Sequence, residues 1–212
     1  MKKTVLVCAL VLVLAVLAAA PLKAAVTFKF GGKAGLSFSN VAWSDDDGLE
    51  KMLVRPTFGA FALVKLTPML ALQPEVNYLT MGEWWNDDGD KVTETMNYLH
   101  IPVLLRLQLM KEGKFVPFAL AGPYVGFLLS AKESGFDMKP FLKSTDFGLD
   151  FGAGTEFPLG KMKGLVDLRF VLGLTDNYVA PGGIVIAETL PMAIMDFHEK
   201  NRALVLTFGL IF

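Results

Sequence analysis

Ala203-Leu204-Val205-Leu206-Thr207-Phe208-Gly209-Leu210-Ile211-Phe212 closes the sequence, and its alternation decides how the rest is read. Successive side chains of an extended strand point to opposite faces. Leu204, Leu206, Phe208, Leu210 and Phe212 therefore share one face, while Ala203, Val205, Thr207, Gly209 and Ile211 share the other, which is smaller and less apolar. Such a strand suits the last stave of a membrane barrel, and it also suits the last strand of a soluble sandwich. The remainder of the chain separates the two.

The same period recurs upstream. Phe28, Phe30, Gly32, Ala34, Leu36 and Phe38 alternate with Lys29, Gly31, Lys33, Gly35, Ser37 and Ser39, a strong strand pattern. Further strands are expected over Val54–Leu66, Leu70–Met81, Met96–Met110, Phe115–Ser130, Asp146–Phe157 and Leu165–Thr175. Phe115–Ser130 is apolar on both faces, so its register stays open. With the first and last segments this makes eight strands. Short turns at Thr67-Pro68-Met69, Lys111–Lys114 and Pro158–Gly164 alternate with long polar connections over Asn40–Leu53, Gly82–Thr95, Ala131–Thr145 and Asp176–Arg202.

Charge distribution tells one face from the other. Lys29, Lys33, Arg55, Lys65, Glu75, Arg106, Asp150, Glu156, Asp167 and Arg169 all fall on one face, mixed in sign and interleaved with small residues. The opposite face carries no charge in any of the eight segments. A lipocalin-like soluble barrel would place its apolar face in the lumen and has no need of an uncharged outer band. Lipid does need one, because Arg or Lys at the bilayer midplane costs roughly 2–4 kcal/mol.

Composition points the same way. The chain is 53% hydrophobic, with 17 Phe and 20 Gly among 212 residues. Beyond its first two dozen residues it holds no apolar run long enough to span a membrane as a helix. Lys2 and Lys3, the apolar run Thr4–Ala20 and the small-residue zone through Ala24 form a secretory leader, expected over 1–24, with the mature domain over 25–212. An uncleaved anchor is the alternative. Cys8 lies in this leader, so the mature chain has no thiol chemistry. Without Lys2, Lys3 and Lys23, seventeen basic residues remain against 21 acidic ones, a net of −4 that argues against a nucleic-acid partner.

The expected architecture is an all-β, eight-stranded antiparallel transmembrane up-and-down β-barrel, closed because lipid leaves no unpaired edge satisfied. Its termini and short turns face the periplasm and its long loops face outside. Phe28, Phe115, Phe157 and Phe212 belong to an inner aromatic girdle, and Tyr78, Trp84 and Trp85 to an outer one. Pro56, Pro74, Pro102, Pro117 and Pro123 fall inside expected strands, where each removes a ladder donor. Bulges or strand ends, with slips of parity, are expected at several of them.

Several stretches resemble the outer-membrane β-barrel domain family often labelled PorT-like or porin-family. They are Gly32-Lys33-Ala34-Gly35-Leu36-Ser37-Phe38-Ser39, Gln73-Pro74-Glu75-Val76-Asn77-Tyr78, Tyr98-Leu99-His100-Ile101-Pro102-Val103-Leu104-Leu105, Ala121-Gly122-Pro123-Tyr124-Val125-Gly126 and Asp146-Phe147-Gly148-Leu149-Asp150-Phe151-Gly152-Ala153-Gly154. The strand prolines belong to that pattern. The resemblance implies an eight-stranded barrel and no common catalytic motif. It also makes the strand ending in Phe212 resemble the signal read by the barrel-assembly machinery.

Candidate chemistry is thin. His100 points inward near the outer end of its strand and His198 lies in the last loop; neither has a Ser or acid partner in a catalytic order. No catalytic, cofactor-binding or metal-ligating residues are assigned, and the protein is not expected to be an enzyme. Asp45-Asp46-Asp47-Gly48 and Asn86-Asp87-Asp88-Gly89-Asp90 carry oxygen ligands suited to Ca²⁺ or Mg²⁺, but Asp-Gly clusters are ordinary turn chemistry. Trp43, Trp84 and Trp85 beside them would form a sugar or partner platform if they are not girdle residues. Gly183–Ile186 and Met192–Met195 suggest strands extended above the membrane or a contact surface. The functional expectation is a monomer in outer-membrane lipid, its interior filled by side chains, with a structural or interaction role through the external loops and an extracellular partner among its candidates. A narrow pore for small solutes is the alternative.

Overall fold

The computed structural model describes residues 27–42, 51–87, 89–110, 113–177 and 200–212. The expected leader, Trp43, Asp45–Asp47, Asp88, His198 and the apolar stretches 183–186 and 192–195 lie outside them. The strands are β1 (Thr27–Ala42), β2 (Lys51–Lys65), β3 (Leu70–Met81), β4 (Glu83–Asp87), β5 (Asp90–Gln108), β6 (Val116–Glu133), β7 (Phe136–Asp137), β8 (Thr145–Leu159), β9 (Met162–Gly173) and β10 (Lys200–Ile211).

Eight of these form the wall. Antiparallel pairing runs β1-β2-β3-β5-β6-β8-β9-β10 and returns from β10 to β1, so the sheet is a closed eight-stranded barrel. The closing seam is long and regular, from Gly31 opposite Ile211 to Ala42 opposite Lys200. β4 and β7 are short additions at the long-loop end. Closure gives every wall strand a paired neighbour on both sides, as hydrocarbon requires.

Alternation places the faces as the charges indicate. Phe30, Phe58, Leu168, Leu206 and Phe208 are exposed on the outside, whereas Lys33, Glu75, Arg106, Asp150, Glu156, Asp167 and Arg169 are buried inside. At the short-turn end, the Phe157 ring lies 6.2 Å from both Phe115 and Phe208, and Phe28, Phe115 and Phe212 are exposed, forming an aromatic belt. Tyr78 stacks on Phe58 at 5.2 Å on the outer face. Trp84 and Trp85 do not form one girdle face, because consecutive residues of β4 point to opposite sides.

Three expectations are corrected. The proline positions do not slip the register. Pairing lapses over Ala62–Leu63 beside Gln73–Pro74, over Glu75–Val76 beside Ile101–Pro102, and over Val103–Leu104 beside Gly122–Pro123. Each lapse includes a proline, which has no N–H to donate, and each time pairing resumes in the same register. Pro56 and Pro117 are paired without interruption. The irregularity that does shift register lies elsewhere: Asn97 faces Ser130 but Tyr98 faces Leu128, leaving Leu129 as the extra residue of a bulge.

Second, Gly82–Thr95 is not a loop. Trp84–Asp87 pairs with Asp90–Thr93 as a hairpin that extends β5 well above the wall. The aromatic and β-branched residues Trp84, Trp85, Val92 and Thr93 favour strand, and Gly89, at φ +94°, makes the tight turn. Strands β1, β2 and β6 likewise run past their expected ends. Third, Ala131–Thr145 contains β7 and a one-turn 3₁₀ helix, Lys139–Phe141, as well as loop.

The upper ends of β3, β5 and β6 lean across the lumen. Ser37 and Ser39, on the inner face of β1, donate hydrogen bonds to the carbonyls of Thr80 (2.7 Å) and Gly82 (2.8 Å). Gly82 has φ +137°, and a Cβ there would meet the Glu94 carbonyl, so the bend needs glycine. The buried Met81, Met96, Ala131 and Leu142 then pack with Val171, Ala203 and Val205 of the far wall and cap the interior with apolar side chains.

Candidate functional site

Alternation directs Lys33, Glu75, Arg106, Asp150, Glu156, Asp167 and Arg169 into the lumen. Glu75 on β3 is its hub. Its carboxylate accepts from Lys33 on β1 at 2.6 Å, from both terminal nitrogens of Arg169 on β9 at 2.9 and 3.1 Å, and from Gln73 and Asn77 at 2.7 and 3.0 Å. Arg169 also holds Asp167 with two bonds, at 2.9 and 3.1 Å. Around the ring of eight, β3 and β9 are four places apart, so the Glu75–Arg169 pair joins opposite sides of the barrel. Such forked charge-assisted bonds fix direction as well as contact.

Below this hub, Arg106 on β5 donates to Gln73 at 2.9 Å and to Glu156 on β8, which Lys163 also reaches at 3.0 Å. The Arg106 guanidinium carbon sits 3.5 Å from the centroid of the Phe118 ring. Above it, His100 Nε2 lies 3.0 Å from Asp150, with its ring 4.3 Å from that of Tyr124. Tyr124 donates to Asp146 at 2.8 Å, and Asn201 on β10 donates to Asp146 at 3.0 Å and to the Tyr98 hydroxyl at 3.2 Å. Tyr98 on β5 and Asn201 on β10 again belong to opposite staves.

Sequence reasoning placed the charged members of this set correctly but missed the aromatic ones. β6 is apolar on both faces because its inner side chains, Phe118 and Tyr124, lean over β8. A Cβ at Gly148 would sit 2.5 Å from the Tyr124 ring, and one at Gly154 would sit 2.5 Å from the Phe118 ring. The Asp-Gly alternation of β8 is thus a lane of space for its neighbours. That lane was the available signal: glycines facing in on one strand imply large residues facing in on the next. Lys29, Arg55 and Lys65, grouped with the interior set by parity, stand at the mouths instead and are not fully buried.

A space of about 20 Å³ lies in the lumen between Lys33, Asn77, His100, Asp150 and Arg169. That is the room of a single water. His100 is 2% exposed and faces this space, out of reach of a bulky substrate. Among the described residues, no three His, Cys, Asp or Glu side chains are disposed to hold a metal ion.

The rim carries a second set. Buried Glu83 and Glu94 lie with Glu133 on one side of the β4–β5–β6 extension. Burial first, then the charges of Glu83 and Glu133, push the Glu94 carboxyl up to about 7. Trp84 is not a free platform: its indole N–H donates to the Met52 carbonyl at 3.1 Å, and the Lys91 ammonium lies 4.2 Å from its ring centroid.

A closed eight-stranded barrel with charges inside and an uncharged band outside defines the outer-membrane class of β-barrel proteins. The chain matches the family described as outer membrane protein beta-barrel domain over residues 21–179, and it belongs to that family. No curated protein matches it. Among solved structures it is similar to the outer membrane protein OprG from Pseudomonas aeruginosa, at 11% identity and a TM-score of 0.51, covering 91% of this chain and 99% of that one. It is also similar to Neisserial surface protein A, at 13% identity and a TM-score of 0.51, covering 86% and 95%. These identities speak to the fold alone. The protein is therefore an outer-membrane β-barrel.

Proposed function

We propose that this barrel is filled by its own side chains and acts as a structural or interaction element through its external rim and loops. The carrying observation is the Glu75–Arg169 pair, which ties opposite staves across the centre of the lumen. An eight-stranded barrel has an interior just wide enough for side chains. Here ion pairs occupy its middle, and Met81, Met96 and Leu142 occupy its upper end. With about 20 Å³ of space between them, a hydrated solute has no room without breaking buried pairs. The burial of His100 supports a non-catalytic role, so His100→Ala should leave any lipid turnover by the preparation unchanged.

Conductance of the refolded protein in planar bilayers tests the reading. The expected record shows no stable openings in the wild type. Reproducible openings of defined size would instead assign the narrow-pore function.

A further inference from the structure

We propose that a cleft between β2 and the upper parts of β5 and β6 binds a phosphorylated sugar at the outer boundary of the membrane. The cleft follows from the lean of the barrel top. β2 pairs with β3 only as far as Phe58 opposite Tyr78, and meets its neighbours again at Lys51–Met52 with Trp84 and Glu83. Between those points β3 has moved inward over β1, and the wall parts. The resulting space is about 400 Å³, lined by Arg55, Thr93, Thr95, Asn97, Ser130 and Lys132. That volume accommodates one or two sugar rings.

The lining is chemically one-sided. Arg55 and Lys132 form no ion pair among the described residues, and they supply a forked donor and a point charge suited to phosphate. Between and beside them stand the hydroxyls of Thr93, Thr95, Ser130 and Ser134 and the Asn97 amide, which match the donors and acceptors of a sugar. Asn97 accepts from Thr80 at 2.7 Å and donates to Ser130 at 2.9 Å, which holds that part of the lining in place. Glu94 and Glu133 are offset by one residue from Thr93, Thr95 and Lys132, and so lie on the opposite face of the extension. Asp137 is the acid on the same side, opposite Lys132, and its carboxylate accepts the Lys139 backbone N–H at 3.1 Å.

Position sets the level of the cleft in the membrane. Just toward the membrane on the same strands, Phe58, Phe127 and Leu129 are exposed apolar residues of the outer band. The cleft thus opens where that band ends, at the level of lipid headgroups. Phosphorylated sugars reach this level as the headgroups of outer-leaflet glycolipids or free in solution.

The test uses the full chain in nanodiscs of zwitterionic lipid. One arm titrates N-acetylglucosamine 1-phosphate, with neutral N-acetylglucosamine, which lacks only the phosphate, as the control. A second arm measures retention of diphosphorylated lipid A against its dephosphorylated form by native mass spectrometry. The phosphorylated probe should bind at least tenfold more tightly in one or both arms, and R55Q/K132Q should abolish that preference while keeping heat-modifiable migration on gels. Preference in the lipid arm alone assigns a headgroup; preference in the soluble arm assigns a free solute. Equal binding of phosphorylated and unphosphorylated probes to the wild type, or an unchanged preference in R55Q/K132Q, overturns the site. The wild-type comparison decides even if the variant fails to fold. Bilayer conductance is independent of both arms, so this site and the filled lumen can fail separately.

Discussion

At the residue scale, the barrel interior is a buried-charge problem. Each ion brought out of water costs several kcal/mol unless it is paired and its remaining bonding positions are met. Glu75 meets that condition with five donated hydrogen bonds from Lys33, Arg169, Gln73 and Asn77. Removing it leaves Lys33 and Arg169 buried with their hub gone. Glu75→Ala should therefore lower stability by about 3–5 kcal/mol, read as a fall in the urea midpoint for unfolding from lipid vesicles. A midpoint unchanged from wild type would show that the network carries no net stability. These charged residues were legible beforehand, because alternation and sign put them on one face. Tyr124 and Phe118 were not. Their strand is apolar on both sides, and only contact with the glycines of β8 shows which side is inner.

At the element scale, the β4–β5 hairpin differs from the wall that bears it. Gly82 turns it inward, and Glu83 and Glu94 are buried beneath it. Because the Glu94 pKa in the folded state lies above its ordinary 4.5, the folded rim holds this proton more tightly than the unfolded chain does. The proton's contribution to stability is therefore largest at acid pH and is lost as pH rises toward about 7. Amides of β4 and upper β5, corrected for intrinsic exchange, should be better protected at pH 5 than at pH 8, and Glu94→Gln should flatten the difference. An equal pH dependence in Glu94→Gln would assign the effect to other groups. The hairpin was missed in the sequence because Trp84–Asp90 reads as a polar aromatic loop. Its strand character appears once Trp84 is seen opposite Thr93 and Trp85 opposite Val92.

At the scale of the whole molecule, closure and the outer band determine where the protein resides. Leu206 stands in register between Leu36 on β1 and Leu168 on β9, and all three are exposed on the outside. A charge placed among them would face hydrocarbon. Leu206→Arg should cost roughly 2–4 kcal/mol if this level lies near the midplane and should reduce folding into vesicles, whereas Leu206→Val should fold normally. Equal folding yields for the two variants would mean that this band is not in contact with lipid.

Sequence alone determined the strand period, the face carrying the lumen charges, the number of staves and the need for closure. These depend on one-dimensional alternation and on the cost of exposed charge in lipid, which act residue by residue. Tertiary structure alone decided which interior charges meet, because the Glu75–Arg169 pair spans 94 positions of chain. It also decided that Pro74, Pro102 and Pro123 interrupt pairing without moving the register, since strands on both sides hold each one in place. The inward lean of β3, β5 and β6 is likewise tertiary: Ser37 and Ser39 of β1 capture the carbonyls of Thr80 and Gly82 across the lumen. The closing strand Ala203–Phe212 shows both levels at once. Its alternation states which face is apolar, and its register against Gly31–Ala42 and Lys163–Leu172 shows that it joins the two ends of the sheet.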